Sequence, residues 1–516
     1  MASTTNGAYA ASIAGDKKRA EVSILMAQLR SDLDDSSLLP HQRNSALEQI
    51  KIYGRDVRDA DPIFTPDGID TLARHGFYSP STVTSREALR CLANALLLQP
   101  QCRQILVDKG HAEKAAEKLK VCITSTTKKL VGATEAAQSD NADDEFLTSR
   151  ILFLLTYDTN LNFDPLVREK GLGDAITQSI YRHSKRYSKN GKKQTSSPMD
   201  DMALSETLKL VFNLTHFYPD FTDIFSKSVP DLLKILSRAP VPNPPLQQPI
   251  CYLINALLNL NLDDKKSNVF PKFDQNCNAA HLIELLDKSI TAYKEVELDQ
   301  VAAPLVTLIR RIYEFAPESV KKYMQWLLLP TEDDRKKPLG HSDTLSSRLL
   351  NLSTAAMLPN LRSQISSMLF ELSDKDASTF VHNVGYGFAS GFLLSHNIAI
   401  PENAMEAFAN GNGGENAEGK DKAKDINPIT GQRYDAEEVK DTGPPMTDAE
   451  KEREAERLFV LFERYCHPKK IRIHVTHHLY RLKATGVVDI KNPVEEAIQS
   501  GRIEELSDSD DPASPD

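Results

Sequence analysis

EALRCLANALLL, residues 87–98, is an almost wholly aliphatic stretch that carries a single asparagine, Asn94. Four further stretches share this character, each aliphatic with one or two asparagine or arginine residues: SRILFLLT (149–156), ETLKLVFNLT (206–215), CYLINALLNL (251–260) and APLVTLIRRIYEFAP (303–317). Their apolar residues keep the spacing of one helix face. Because such a helix cannot bury its apolar face alone, repeated copies are expected to stack on one another.

The spacing of the stretches predicts the kind of repeat. Equivalent apolar positions recur at intervals of 62, 57, 45 and 52 residues, at Leu89, Ile151, Leu208, Leu253 and Leu305. We interpret two polar segments, Gly132 to Glu145 and Ser184 to Met202, as insertions that lengthen the first two intervals. Without them the period approaches the ~40–47 residues of armadillo and HEAT repeats. We therefore predict an all-α protein, a right-handed armadillo/HEAT-like helical solenoid.

Composition narrows the functional class. The net charge of −10 argues against general nucleic-acid binding, because phosphate contacts need a basic surface. No apolar run reaches the ~18 residues of a membrane span. The six cysteines form no CxxC pair and several lie in aliphatic stretches, which indicates reduced core thiols. These features predict a cytoplasmic protein without a transmembrane segment.

Changes in composition along the chain predict five regions. They are a disordered N-terminal tail (1–16), the solenoid (17–400), a mobile linker (401–445), a C-terminal helical extension (446–506) and an acidic tail (507–516). The linker is predicted from its low apolar content, which cannot offset the entropy of ordering. Thr447 and Glu450 predict a capping box at the start of the extension. Ser507 and Ser509, each followed by acidic residues, are predicted phosphorylation sites.

Three ordered motifs carry a resemblance to a known family. They are VHNVGYGFASGFLL (381–394), INPITG (426–431) and MTDAEKEREAERL (446–458). With the repeated helices before them, they make the chain resemble the synembryn family, in a fungal-type form, over roughly residues 19–506. The resemblance implies guanine nucleotide exchange on heterotrimeric G-protein α subunits (Gα) and chaperoning of newly made Gα. It also implies that the C-terminal helix of nucleotide-free Gα lies in the concave groove of the solenoid.

Asparagines on the aliphatic helices are the first candidates for partner binding. Asn94, Asn213, Asn255 and Asn259 occupy positions where an unpaired buried amide would be costly. One interpretation is a series of amides that lines the groove and binds the partner. The alternative is that each amide caps a neighbouring repeat within the molecule.

Basic and aromatic residues complete the candidate set. Lys51 and Arg55 match basic positions of the family's groove, and a further basic run comprises Arg310, Arg311, Lys321, Lys322 and Arg348. These cations could meet acidic groups or the carboxyl terminus of Gα, and the alternative for each is a solvated surface. Phe153 and Phe212 are candidate anchors of the interface, and the alternative for both is the core.

Other motifs carry less weight. GYGFASG (385–391) has the spacing GxGxxxG without a preceding strand, so we expect close helix packing rather than nucleotide binding. The histidine-rich segment 465–481, which interrupts the family pattern, lacks a zinc-ligand spacing. We find no catalytic pair and expect no metal, no cofactor and no enzyme chemistry.

We predict a monomeric exchange factor and chaperone, recruited to the plasma membrane through Gα if at all. The alternative is an armadillo-type peptide-binding scaffold or transport adaptor.

Overall fold

The computed structural model describes residues 15–129, 135–187, 197–399, 426–427 and 429–436, with single positions at 453 and 457. Side chains of residues 125–140 lie outside this description. Where the chain is described, its regular structure is helical apart from isolated bridges such as that between Ile426 and Arg433. By contacts the chain divides into two units, Met1–Glu437 and Glu438–Asp516. The first unit contains almost everything described below.

One series of helices runs through the first unit, each packed against the next. We call them the ladder helices: α2 (Pro40–Tyr53), α4 (Thr82–Leu98), α7 (Glu135–Leu155), α10 (Pro198–Phe217), α13 (Ile250–Leu258), α16 (Glu295–Phe315) and α19 (Pro359–Leu372). The five aliphatic stretches lie on α4, α7, α10, α13 and α16. The repeated stretches therefore stack in the order in which they occur in the sequence.

The remaining helices form a second layer and the two ends. They are α1 (Asp16–Asp35), α3 (Pro66–Tyr78), α5 (Gln101–Asp108), α6 (Ala112–Lys129), α8 (Phe163–Arg168), α9 (Leu172–Lys185), α11 (Thr222–Phe225), α12 (Val229–Leu236), α14 (Lys266–Val269), α15 (Cys277–Ala292), α17 (Glu318–Leu328), α18 (Leu345–Thr354), α20 (Ala377–Val384) and α21 (Tyr386–Ser395). In this layer α3, α6, α9 and α12 are successive neighbours. Two stacked layers of helices are the organisation of a helical solenoid.

Local sequence fixes where several helices begin. The Ser81 hydroxyl accepts from the backbone N–H of Thr84 at the start of α4. Ser197 and Asp200 form a reciprocal capping box at the start of α10, with Pro198 in the first turn. These caps satisfy N–H groups that have no partner within the helix, and proline is tolerated there because its missing N–H is not needed.

The core confirms the predicted register of the repeats. The equivalent positions are all fully buried, with 0% exposure at Leu89, Ile151, Leu208, Leu253 and Leu305. Burying one such side chain stabilises the fold by about 1.5–3 kcal/mol. The buried apolar residues form one continuous cluster from Val22 to Leu393. The prediction of an all-α solenoid is therefore confirmed, while its hand stays a prediction.

Both segments that we interpreted as insertions are partly helical. Helix α7 begins at Glu135 and includes Asp143, Asp144 and Glu145. Alanine and acidic residues in this segment are compatible with helix, and cations on neighbouring helices neutralise the carboxylates. In the second segment, Ser184 and Lys185 are still part of α9, and α10 begins at Pro198.

Several predictions fall on the chain ends. Most of the residues in these predictions lie outside the described part of the chain. They comprise the predicted tail 1–16, the extension 446–506 with its histidine-rich segment 465–481, and the serines Ser507 and Ser509. Within the predicted linker, residues 426–427 and 429–436 belong to the first unit, and main-chain hydrogen bonds join them to earlier residues of it. Across the described ranges, no helix is both long and apolar enough to span a membrane.

Candidate partner-binding face

Charged side chains join consecutive ladder helices near the N-terminal end of the series. Lys51 of α2 forms an ion pair of 2.7 Å with Glu87 of α4, and Arg90 of α4 contacts Asp143 of α7 at 3.0 Å. Burial alone would raise the pKa of Glu87, but the hydrogen bond from Lys51 and the charge of Arg90 hold it below its ordinary value. The predicted site residue Lys51 is thus engaged within the molecule.

A second ion pair joins α4 to α7, and the junction between α7 and α10 is built in the same way. Arg86 of α4 pairs with Asp144 of α7 at 2.9 Å, and Arg150 of α7 contacts Glu206 of α10 at 3.2 Å. Lys209 lies one turn further along α10 and contacts Glu206 at 2.6 Å. Each cation is therefore matched by a carboxylate, and the pairs hold the helices in register.

Two of the four candidate asparagines bind within the molecule. The Asn213 side chain is 3% exposed; its amide donates to the Thr156 hydroxyl at 2.7 Å and accepts from the Tyr157 hydroxyl at 3.3 Å. The Asn259 amide donates to the Phe212 carbonyl at 3.2 Å. At these two positions the geometry matches the alternative of intramolecular capping.

Three other candidates, Arg55, Asn94 and Asn255, differ from Asn213 and Asn259. Arg55 is exposed and lies just after α2, while Asn94 on α4 and Asn255 on α13 are half-buried. No side-chain hydrogen bond or ion pair engages any of the three within the described part of the chain. Their donors and acceptors are thus available to a partner.

An aromatic strip crosses α7 and α10. Ring centroids lie 5.4 Å apart for Phe153 and Tyr157, 6.1 Å for Tyr157 and Phe217, 5.2 Å for Phe217 and His216, and 5.9 Å for His216 and Phe212. Tyr157 is 36% exposed and Phe217 48% exposed. The structure therefore places the predicted anchors Phe153 and Phe212, both half-buried, at the two ends of one surface strip.

Aliphatic side chains are also exposed at the end of α4, the ladder helix that packs against α7. Leu97 and Leu98, at the C-terminal end of that helix, are 45% and 39% exposed. We define the ladder face as this apolar surface together with Asn94 and the ion pairs nearer the helix starts. Sequence reasoning missed Leu97, Leu98, Tyr157, His216 and Phe217. The available signal was apolar residues that continue past the buried stripe at the end of each repeat.

The predicted arginines of α16 serve the fold. Arg310 donates to both carboxylate oxygens of Glu371 on α19, at 3.0 and 2.6 Å. Arg311 donates to the carbonyls of Leu258 and Leu260 at the end of α13. Burial lowers the pKa of Arg311 from its ordinary value. Both guanidinium groups therefore hold one ladder helix to the next.

The other predicted cations lie outside the ladder helices. Lys321 and Lys322 are on α17, where the ammonium group of Lys321 stands 5.5 Å from the Tyr313 ring centroid and Lys322 is exposed. Arg348 is on α18 and pairs with Asp287 and Asp343. The structure thus does not bring these three residues together with the aromatic strip.

The described residues contain no cluster of histidine, cysteine, aspartate and glutamate suited to a metal ion. Cys91, Cys102 and Cys122 are buried free thiols, and burial raises the pKa of Cys102 to about 11 and of Cys122 to about 12. Protonated thiols of this kind are poor nucleophiles. These three thiols are therefore unsuited to nucleophilic chemistry.

The chain is similar to several known proteins. The chain is 26% identical over 438 residues to a synembryn-like chaperone of Schizosaccharomyces pombe, covering 81% of this chain and 76% of the relative. It is 24% identical over 472 residues to chaperone Ric-8A of Xenopus tropicalis, covering 83% and 82%. Among solved structures, an engineered protein covers 70% of the chain at 13% identity and a TM-score of 0.31, too low to support an argument.

A family model extends the match over most of the sequence. The model described as guanine nucleotide exchange factor synembryn, Ric8, matches residues 46–502. This range includes the ladder helices from within α2 to α19 and all three motifs that carried the resemblance. The chain therefore belongs to the synembryn (Ric8) family.

Proposed function

We propose that this protein is a guanine nucleotide exchange factor and folding chaperone for heterotrimeric G-protein α subunits, and that it binds the C-terminal helix of nucleotide-free Gα across the ladder face. Family membership supports the class of activity, since the family is described as a guanine nucleotide exchange factor and the relatives are named chaperones. The ladder face supports the mode of binding.

The observation that carries the proposal is the pairing of an apolar strip with charged groups on the same helices. Leu97 and Phe217 are exposed at the C-terminal ends of α4 and α10, and Tyr157 is exposed just past the end of α7. The ion pairs lie about two to four turns earlier on the same helices. An amphipathic helix presents the matching arrangement, an apolar stripe beside polar side chains. A helix laid across the three ladder helices would thus bury its apolar stripe on the aromatic strip.

Exchange then follows from binding alone. A protein that binds nucleotide-free Gα more tightly than the GDP complex must weaken GDP binding by the same factor. Each tenfold weakening requires about 1.4 kcal/mol of differential contact. Capturing a helix that Gα releases when its nucleotide site opens would provide such contacts, and no bond is made or broken.

Chaperoning uses the same surface. A newly made Gα without nucleotide exposes the apolar stripe of its C-terminal helix, which the aromatic strip would cover. A ligand that binds a folding-competent state raises its population by mass action. The protein would act as a monomer in the cytoplasm and reach the plasma membrane only through Gα.

Release of a fluorescent GDP analogue from purified Gα tests the proposal. We expect faster release when the protein is present, and no acceleration with a Gα that lacks its C-terminal helix. Acceleration that persists without that helix would exclude the ladder face as its binding site. Binding of a helical peptide without any acceleration of release and without help to Gα folding would leave the alternative, a peptide-binding scaffold.

A further inference from the structure

A short segment downstream of α21 returns to the C-terminal end of the solenoid. We call residues 426–436, described at 426–427 and 429–436, the strap. The Leu339 N–H donates to the Thr430 carbonyl at 3.0 Å, and the Arg433 N–H donates to the Arg335 carbonyl at 2.9 Å. On the other side, the Gly387 N–H of α21 donates to the Ile429 carbonyl at 3.2 Å. The strap is thus bound to two separate parts of the solenoid end.

Arg335 joins these parts through its side chain, which is nearly fully buried. Its guanidinium donates to the Gly431 carbonyl at 3.0 Å and to the carbonyls of His382 and Asn383 at 3.1 Å each. The latter two belong to the last turn of α20, where helix carbonyls lack helical partners and favour a cation. One buried cation therefore connects α20 to the strap.

The glycines of the two family motifs are explained by this contact. Gly431 has φ +68°, and a Cβ there would lie 2.3 Å from Leu339 Cδ1. Gly385 has φ +78°, and a Cβ there would lie 3.1 Å from the Ile429 carbonyl oxygen. Close helix packing was expected at GYGFASG; the atoms nearest to Gly385 and Gly387 belong to the strap.

The strap is linked to the end of the ladder. Helix α20 packs on α19, and α21 packs on α18 and α19. Helix α19 supplies Glu371 and Gln364, the two side chains that bind Arg310 of α16. Hydrogen bonds hold the strap, while its Ile429 side chain remains 39% exposed. A segment attached in this way opens at a lower free energy than a core helix.

We propose that the strap is a positioning element for exchange: when bound, it holds α18 to α21 in the arrangement that intact Gα requires. This inference rests on the function proposed above. The aromatic strip lies on α7 and α10, several ladder helices away. Opening the strap should therefore spare binding of the isolated Gα helix and slow nucleotide release from intact Gα.

Two variants of the full-length protein open the strap. Gly431→Ala adds a methyl group at a positive φ and against Leu339, and a second variant replaces residues 426–436 by an equally long Gly-Ser sequence. Gly391→Ala on α21 is the matched control, because no atom lies within 4 Å of its added Cβ. Hydrogen exchange at the Leu339 and Gly387 amides reports whether the strap is open.

In both variants that open the strap, we expect faster hydrogen exchange at these amides. The affinity for a peptide that copies the Gα C-terminal helix should be unchanged. We expect the stimulated GDP release rate to fall by about fivefold or more, the lower end of couplings between distant sites. An open strap with an unchanged release rate, or with equal losses in peptide affinity and release, overturns the proposal. If the wild-type protein itself neither binds the peptide nor stimulates release, the proposed function fails instead.

Discussion

The two halves of the ladder use similar residues for different purposes. From α2 to α10, ion pairs leave an exposed apolar strip beside them, and Arg55 and Asn94 have no partner within the described residues. From α13 to α19, the arginines bind carbonyls and a carboxylate of the adjacent ladder helix. A cation on a repeat helix therefore does not by itself indicate a binding surface.

The difference has a physical cause. A guanidinium that already donates to buried carbonyls can reach a partner only by leaving those carbonyls unpaired, which costs free energy. An exposed ring or a free amide reaches the partner at the smaller cost of shedding water. We infer that most of the partner's binding energy comes from the half of the ladder that ends at α10.

The largest effect is expected from removing the aromatic strip. In the double variant Tyr157→Ala, Phe217→Ala, affinity for Gα should fall by about 3 kcal/mol, or roughly a hundredfold, because exposed aromatic residues at the centre of an interface are typical hot spots. Isothermal titration against nucleotide-free Gα measures this. Trp326→Ala is the control, since Trp326 is 65% exposed on α17, outside the ladder. Equal losses in both proteins would contradict the importance of the strip.

A substitution in the second half of the ladder should lower the stability of the fold and leave the affinity for Gα nearly unchanged. Arg311→Met removes the donors to the Leu258 and Leu260 carbonyls, so the free energy of unfolding should fall by about 1.5–3 kcal/mol, as for other hydrogen bonds to charged groups. Affinity of the folded variant for the Gα helix peptide should stay within about twofold.

Urea denaturation followed by circular dichroism, with peptide titration under native conditions, separates the two responses. Lys322→Met supplies the comparison, because Lys322 is an exposed cation without a described partner. A large loss of peptide affinity in Arg311→Met, with stability preserved, would place Arg311 in the interface.

The repeats could be predicted because their signal is local. Leu89, Leu208 and Leu305 are buried wherever a helix must cover its apolar face, and the period of the sequence shows which face that is. The start of α7 could not be predicted, because an acidic segment is typical of a loop unless arginines on another helix neutralise its negative charge. Those arginines, Arg86 and Arg90, lie more than fifty residues earlier.

The partners of the asparagines were beyond sequence reasoning for a similar reason. Asn94 and Asn213 occupy the same kind of position on aliphatic helices, yet of the two only Asn213 meets hydroxyls, those of Thr156 and Tyr157 just past the end of the preceding ladder helix. Stacking between repeats decides this difference. The strap shows the same limit: INPITG was recognised as a motif, but its contact with Gly387 depends on how the chain returns to α21.

The smallest effect is expected from Arg55 and Asn94, the polar side chains of the first half without an internal partner. Asn259, whose amide has an internal partner, provides the contrast. Arg55→Glu combined with Asn94→Ala should weaken Gα binding by about 1.4 kcal/mol, or tenfold, since it reverses one exposed charge and removes one free amide. Helical circular dichroism and the melting temperature should hardly change, because neither side chain has a described partner to lose. Asn259→Ala should do the reverse, because its amide binds the Phe212 carbonyl: lower stability with affinity retained. Titration and thermal melts on both proteins measure the contrast. Unaltered affinity in the double variant would remove Arg55 and Asn94 from the interface and confine binding to the aromatic strip.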